Sequence, residues 1–187
     1  MGNRQRVILC EGTDRSGKST IGKLISEKLN ISYFKYTRDK EALSGSDMTS
    51  AMLKYTDPYF CDFLKQTKAS VVIDRHYPSE WTYSQILGRK TDEDGIRRTD
   101  ELFSQIPATI LILKRKSYVG VSDDDPRLDS STLEKISQKY DEFAKWSKCR
   151  VLTFEFDEWN PEKMVTEILF TLEAVENTYD IADVSLC

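Results

Sequence analysis

The stretch Val7-Ile8-Leu9-Cys10-Glu11-Gly12-Thr13-Asp14-Arg15-Ser16-Gly17-Lys18-Ser19-Thr20-Ile21-Gly22-Lys23-Leu24-Ile25 decides the fold. An apolar run of four is followed by a loop with a glycine near each end, and Ile21, Leu24, Ile25 and Leu29 then recur at helical spacing. That order reads as strand, loop, helix. The loop from Gly12 to Ser19 matches G-x-x-x-x-G-K-[ST] in full, in the context that gives such a match meaning. Its glycines let the backbone curl until successive N–H groups face one anion, and the following helix brings its positive end to the same place. Lys18 is placed to reach the β and γ phosphates of ATP, and Ser19 offers a hydroxyl to Mg²⁺.

Outward from this unit, strand and helix patterns alternate. Ile31 to Tyr36 reads as a second strand, Met48 to Lys65 as a helix with an aromatic side, and Ser70 to Ile73 as a third strand. Helical stretches follow at Ser79 to Leu87 and Ile96 to Ile106. Ala108 to Leu113 is apolar throughout, as a strand buried on both faces should be. Leu133, Ile136, Tyr140, Phe143 and Ala144 share a helical face; Arg150 to Phe156 makes a fifth strand, and Met164 to Leu172 a last helix. The expected fold is α/β in three layers, a five-stranded parallel sheet flanked by helices, with ligands beyond the carboxyl ends of the strands. Thr37 to Asp47, Lys90 to Gly95 and Lys114 to Asp129 stand outside the alternation, and the last is expected to form a mobile lid loop.

Composition narrows the class. The 187 residues are 39% hydrophobic and 31% charged, the balance of a soluble globular protein, and the length suits one domain spanning residues 1–187. No apolar stretch is long enough to span a bilayer, so a cytoplasmic location and no membrane partner are expected. Cys10, Cys61, Cys149 and Cys187 lie far apart without a CxxC pair, as reduced thiols do. The net charge of −4 is opposite to the basic footprint of a protein that holds long nucleic acid by its phosphates. The apolar helical faces serve equally as core or as a homodimer interface.

Val71-Val72-Ile73-Asp74 supplies the loop's companion, an apolar strand ending in a carboxylate that can hold the metal or its water. More of the wording is specific. Glu11-Gly12-Thr13-Asp14 through Lys18-Ser19-Thr20 resembles the phosphate loop of thymidylate kinases, and Asp74-Arg75-His76 resembles that family's D-R-Y with His76 in place of tyrosine. The resemblance implies a P-loop kinase that needs ATP and Mg²⁺ and phosphorylates a nucleotide. It implies that residues Gly12 to Thr20, with Arg127 from the lid, hold ATP, and that Ser19 and Asp74 serve the metal. Arg15 corresponds to a loop arginine used on the transferred phosphoryl, Asp14 to a carboxylate near the acceptor sugar, and Arg75 to the grip on the acceptor's monophosphate. A planar guanidinium suits that last task, because its fork matches phosphate.

The base side departs from the family pattern. Leu53 to Phe60 offers Tyr55 and Tyr59 for stacking but no arginine, and Pro58 is expected to kink the helix. Glu80, Tyr83 and Ser84 line the acceptor pocket or simply begin a helix. His76, without metal-ligating partners, reads as a lining or packing residue. Three functions follow. A deoxynucleoside monophosphate kinase needs positioning and charge neutralisation more than a base. A hydroxyl kinase, acting on a deoxynucleoside or on hydroxymethyluracil bases in DNA, would use Asp14 or Glu80 as base. A regulatory nucleotide switch is disfavoured by Arg75 after Asp74 and by the lack of an N-K-x-D segment. Acceptor and base specificity are left open by these residues.

Overall fold

The first strand, β1 (Val7–Gly12), is buried along its whole length, and its side chains alternate between two cores. Val7 and Leu9 enter one core while Ile8 and Cys10 enter the other, the period-two outcome of a strand at the centre of a sheet. The computed structural model describes residues 4–35, 56–121 and 125–184, with side chains followed to residue 177. The sheet order is β2-β3-β1-β4-β5, with β2 (Ser32–Lys35), β3 (Val71–Asp74), β4 (Ala108–Arg115) and β5 (Arg150–Phe156). Every pairing is parallel, with Cys10 opposite Asp74 and Gly12 opposite Leu113. The carboxyl ends of β1 and β3 therefore lie side by side.

Six helices among the described residues cover the two faces: α1 (Lys18–Leu29), α2 (Asp57–Thr67), α3 (Tyr77–Leu87), α4 (Glu93–Ser104), α5 (Ser130–Trp146) and α6 (Pro161–Val184). Ile21 and Ile25 of α1 pack with Met164, Val165, Ile168 and Leu172 of α6 on one side. On the other, Leu64 of α2, Trp81 of α3, Phe103 of α4 and Phe143 of α5 close over Leu9, Ile73 and Ile110. This is the expected three-layer α/β arrangement. None of the described helices is long and apolar enough to cross a membrane.

Several boundaries differ from the sequence expectation. Helix α4 starts three residues earlier than Ile96, because Asp92 accepts a bond from the Gly95 N–H at 2.8 Å and Glu93 and Asp94 favour the positive end of the first turn. Strand β4 runs past Leu113, with Lys114 and Arg115 opposite Glu155 and Phe156 of β5, so the loop after it begins at Lys116. Pro58 sits in the first turn of α2, a position that suits a residue without an N–H. Residues 48–55 of the expected helix, with Tyr55, lie outside the described residues, as do residues 37–47 and 122–124. Helix α6 continues well beyond Leu172, and its Glu176 receives Arg6 Nη2 at 2.6 Å, tying the start of β1 to the last helix.

Asp100 of α4 shows how the helical layer is tied to β5. Its buried carboxylate accepts from the Tyr77 hydroxyl (2.8 Å), the Ser147 hydroxyl (2.6 Å) and the Lys148 N–H (2.6 Å). Asp100→Ala leaves those donors in a dry site and is expected to cost about 2–3 kcal/mol of stability. The check is the urea midpoint at unchanged m-value, and a loss below about 0.5 kcal/mol would show that water replaces the carboxylate.

Candidate active site

The phosphate loop leaves β1 through Gly12, whose φ of +139° no side-chain-bearing residue adopts readily. A Cβ there would also lie 2.2 Å from the Leu113 carbonyl oxygen. The loop passes through Arg15 in the left-handed region (φ 63°) and enters α1 at Gly17 (φ 82°), whose Cα faces the Trp159 indole so closely that a Cβ would fall 2.0 Å from the ring. Lys18 folds back over the curl and donates to the Thr13 carbonyl at 2.9 Å, 3.6 Å from Asp14 Oδ1. Burial, with help from Arg75, pushes the Lys18 ammonium down to about 8, against the pull of Asp14, Asp74 and Glu11. The Ser16 hydroxyl is buried and without a hydrogen-bond partner among the described residues. Thr20 is exposed on the first turn of α1, and Arg15 is exposed with its carbonyl receiving Arg115 Nη1 at 3.2 Å.

Beside this loop, Asp74 closes β3. Its Oδ2 accepts from the Ser19 hydroxyl at 2.5 Å and from Tyr33 of β2 at 2.7 Å, while its buried Oδ1 has no hydrogen-bond partner among the described residues. A wholly buried carboxylate oxygen left without a donor is costly, and a cation beside Ser19 would relieve it. The pair Ser19 and Asp74 therefore fits Mg²⁺, a hard ion with oxygen ligands.

Arg75 follows in a left-handed turn (φ 66°), with its N–H on the Cys10 carbonyl at 3.1 Å. Its guanidinium donates to Asp14 Oδ1, to Ser79 Oγ at 3.1 Å and to Tyr83 Oη at 3.3 Å, and it lies over the Tyr83 ring at 5.0 Å. Tyr83 in turn donates to Asp14 Oδ2 at 2.9 Å. Burial disfavours ionised Asp14, but Arg75, Lys18 and Tyr83 outweigh it and hold the carboxyl below its ordinary range. Four residues picked from sequence, Asp14, Lys18, Arg75 and Tyr83, thus meet in one cluster.

Others do not join it. Glu80 is buried, but its carboxylate engages Thr91 Oγ1 at 3.3 Å and Arg89 at 3.8 Å, beyond the far end of α3. Tyr59 is 76% exposed on α2, and Arg127 is exposed with its guanidinium on Asp125 at 2.6 Å. His76 packs among Phe60, Tyr77 and Phe103, with Nε2 3.7 Å from Asp57 Oδ1.

Sequence reading passed over three neighbours of the site. Tyr118, in the loop after β4, is buried with its hydroxyl 2.7 Å from Thr13 Oγ1. Trp159, before α6, lines an open pocket with Ser16, Lys114, Arg115 and Phe156. Glu11 is buried completely and accepts from the His76 N–H, Ser79 and Tyr140. Burial pushes its carboxyl up to about 7, against the opposing effect of Ser79, Arg75, the His76 N–H and Tyr140. A signal existed for Glu11, a charge in the 7, 9, 11 row of a buried strand; for Trp159 and Tyr118, on polar connections, there was none.

A parallel sheet whose first strand ends in a G-x-x-x-x-G-K-[ST] loop, with a carboxylate closing the adjacent strand, is the arrangement of a P-loop nucleotide-binding protein. No family model matches the chain. It is 30% identical to a Sulfolobus acidocaldarius protein named as a probable thymidylate kinase, across 94% of this chain and 95% of that one. The chain belongs to the thymidylate kinase family, and with it to the phosphotransferases that act on nucleotides. The fold is shared with thymidylate kinase of Ehrlichia chaffeensis (18% identity, 90% of this chain and 98% of that one, TM-score 0.62). It is shared also with Mycoplasma mycoides deoxyadenosine kinase solved with bound dCTP (17% identity, 90% and 99%, TM-score 0.52).

Because the Lys18 ammonium starts near 8, bound phosphates must raise its pKa, so ligand binding above that pH takes up a proton and affinity falls as pH rises. Calorimetry with ATP at about pH 8.5 in buffers of different ionisation enthalpy is expected to show this uptake for the wild type and not for Lys18→Arg, whose cation never deprotonates. Equal heats in all buffers for the wild type would contradict it.

Proposed function

We propose that the chain transfers the γ-phosphoryl group of ATP, with Mg²⁺, to a deoxynucleoside monophosphate. The observation that carries this reading is the state of Asp14. A carboxylate held ionised by Arg75 and Lys18 is a weak base, Glu80 is engaged by Thr91 and Arg89, and Glu11, the more basic carboxyl, is wholly buried with both oxygens taken by the His76 N–H, Ser79 and Tyr140. A hydroxyl acceptor needs a base, whereas a monophosphate already presents an ionised oxygen. The cluster supports the second.

In this reading the loop N–H groups and Lys18 bind the donor phosphates, the Ser16 hydroxyl gains a phosphate partner, and Ser19 and Asp74 hold the metal. Bound there, Mg²⁺ would neutralise charge on the donor's phosphates. Arg75 turns its fork to the acceptor phosphate, and Asp14 keeps Arg75 and Lys18 in place until both substrates arrive. An acceptor oxygen then bonds to the γ phosphorus as the bond to the β-γ bridging oxygen breaks, and ADP leaves with that electron pair. No proton needs to move. Trp159, over Gly17 and beside Arg115, offers a flat apolar surface to the donor's base.

The test is a label-transfer panel with γ-labelled ATP and Mg²⁺ against deoxynucleoside monophosphates, deoxynucleosides, and plain or hydroxymethyluracil-containing DNA. Label is expected on a monophosphate, with kcat/KM for that acceptor reduced about 10–100-fold in Arg75→Ala. Label on a nucleoside or on modified DNA alone would overturn the reading and make a hydroxyl the acceptor.

A further inference from the structure

Glu11 occupies a position that the strand's own pattern reserves for an apolar side chain. It follows Val7 and Leu9 on the face of β1 that looks toward α3 and α5, and it is wholly buried. Three donors meet it there from separate elements. Oε1 accepts the His76 N–H at 2.6 Å; Oε2 accepts the Ser79 hydroxyl at 2.5 Å and the Tyr140 hydroxyl at 3.1 Å. The same Ser79 oxygen accepts from Arg75 Nη1 at 3.1 Å. Arg75 is therefore fixed twice through this carboxylate: through the backbone one residue on, and through its guanidinium by way of Ser79. On its other side the Arg75 N–H is bonded to the Cys10 carbonyl.

Arg75 needs such restraint because its φ of 66° is a conformation that a side-chain-bearing residue leaves unless its surroundings impose it. Relaxation of the turn would carry the guanidinium away from Asp14 and Tyr83. We propose that Glu11 is the positioning residue for Arg75: it holds the left-handed turn after β3 and orients the guanidinium toward the acceptor. An amide replaces the carboxylate poorly. Glutamine of the same size accepts through one oxygen only, so with that oxygen on the His76 N–H its NH₂ faces the Ser79 and Tyr140 hydroxyls, which must turn their protons away, and the charge-assisted bonds that fix Ser79 beside Arg75 are lost. The inference rests on Arg75 serving the acceptor, the role given to it above.

Initial rates of the full chain distinguish this from a merely structural buried carboxylate. Wild type, Glu11→Gln, Ser79→Ala and the double variant are compared with the acceptor and ATP varied in turn, the acceptor being thymidine monophosphate or whichever member of the panel takes the label. Glu11→Gln is expected to raise the acceptor KM about tenfold while the ATP KM stays within about twofold. Ser79→Ala is expected to shift the same constant in the same direction, and the double variant to be little worse than Glu11→Gln, because the two act along one path. Both KM values moving together, an unchanged acceptor KM in a variant that melts like wild type, or additive effects would overturn the proposal. If Glu11→Gln does not fold, Ser79→Ala decides, since it leaves Glu11 its His76 and Tyr140 donors. If the wild type labels only a hydroxyl acceptor, the monophosphate reading fails, and the same comparison on that acceptor still decides the role of Glu11.

Discussion

Mutual neutralisation of charges withdrawn from water is the constraint on which the rest of this structure depends. At the carboxyl ends of β1 and β3, Lys18 and Arg75 share a small space with Glu11, Asp14 and Asp74, and Lys18, Glu11 and Asp74 are buried. Any one of these charges left unpaired there would be expensive, so each is tied to a neighbour or to a hydrogen-bond donor. The opposite shifts of the cluster express the same balance. Lys18 is pushed down and Glu11 up by burial, while Asp14 is held down by the two cations despite burial. Charges arranged in this way stabilise the fold weakly by themselves but stand ready for anionic ligands whose own charge completes the arrangement.

The sheet makes that arrangement geometrically possible. Parallel pairing of β1 with β3 and β4 brings Gly12, Asp74 and Leu113 to one end of the sheet, and the Leu113 carbonyl leaves no room for a side chain at Gly12. The phosphate loop is pressed from the far side by Trp159 and held from above by the Tyr118 hydroxyl on Thr13. Arg75, left-handed in the turn after β3, brings its guanidinium to Asp14, Ser79 and Tyr83, while Arg15, also left-handed, lies exposed in the phosphate loop. Of the four side-chain-bearing residues at positive φ among the described residues, these two lie at the site and Asn30 and Lys68 close helices, while the helical layers behind the site are joined by contacts such as those of Asp100.

Much of this was legible in the amino-acid sequence because it rests on local rules. The phosphate loop needs particular glycines and a Lys-Ser pair in fixed order, and strand and helix periods around it differ enough to be told apart, so the element order, the parallel sheet and the candidates Lys18, Ser19 and Asp74 could all be read directly. Boundaries were less legible. Helix α4 begins at an Asp92 cap that had read as part of a loop, and β4 gains Lys114 and Arg115 only because β5 is there to pair with them.

What the sequence by itself determined was the order of elements and the chemistry of the loop, since both follow from the conformational and hydrogen-bonding character of neighbouring residues. The tertiary structure alone decided which distant side chains share the site. Tyr83 reaches Asp14, Glu80 turns to Arg89 and Thr91, and Trp159 covers Gly17, because strand register and helix packing set those distances and no pattern along the chain encodes them. Glu11 lies between the two cases. Its charge in a buried row was visible, but its partners on α3, α5 and the turn after β3 came together only when the sheet closed beneath them.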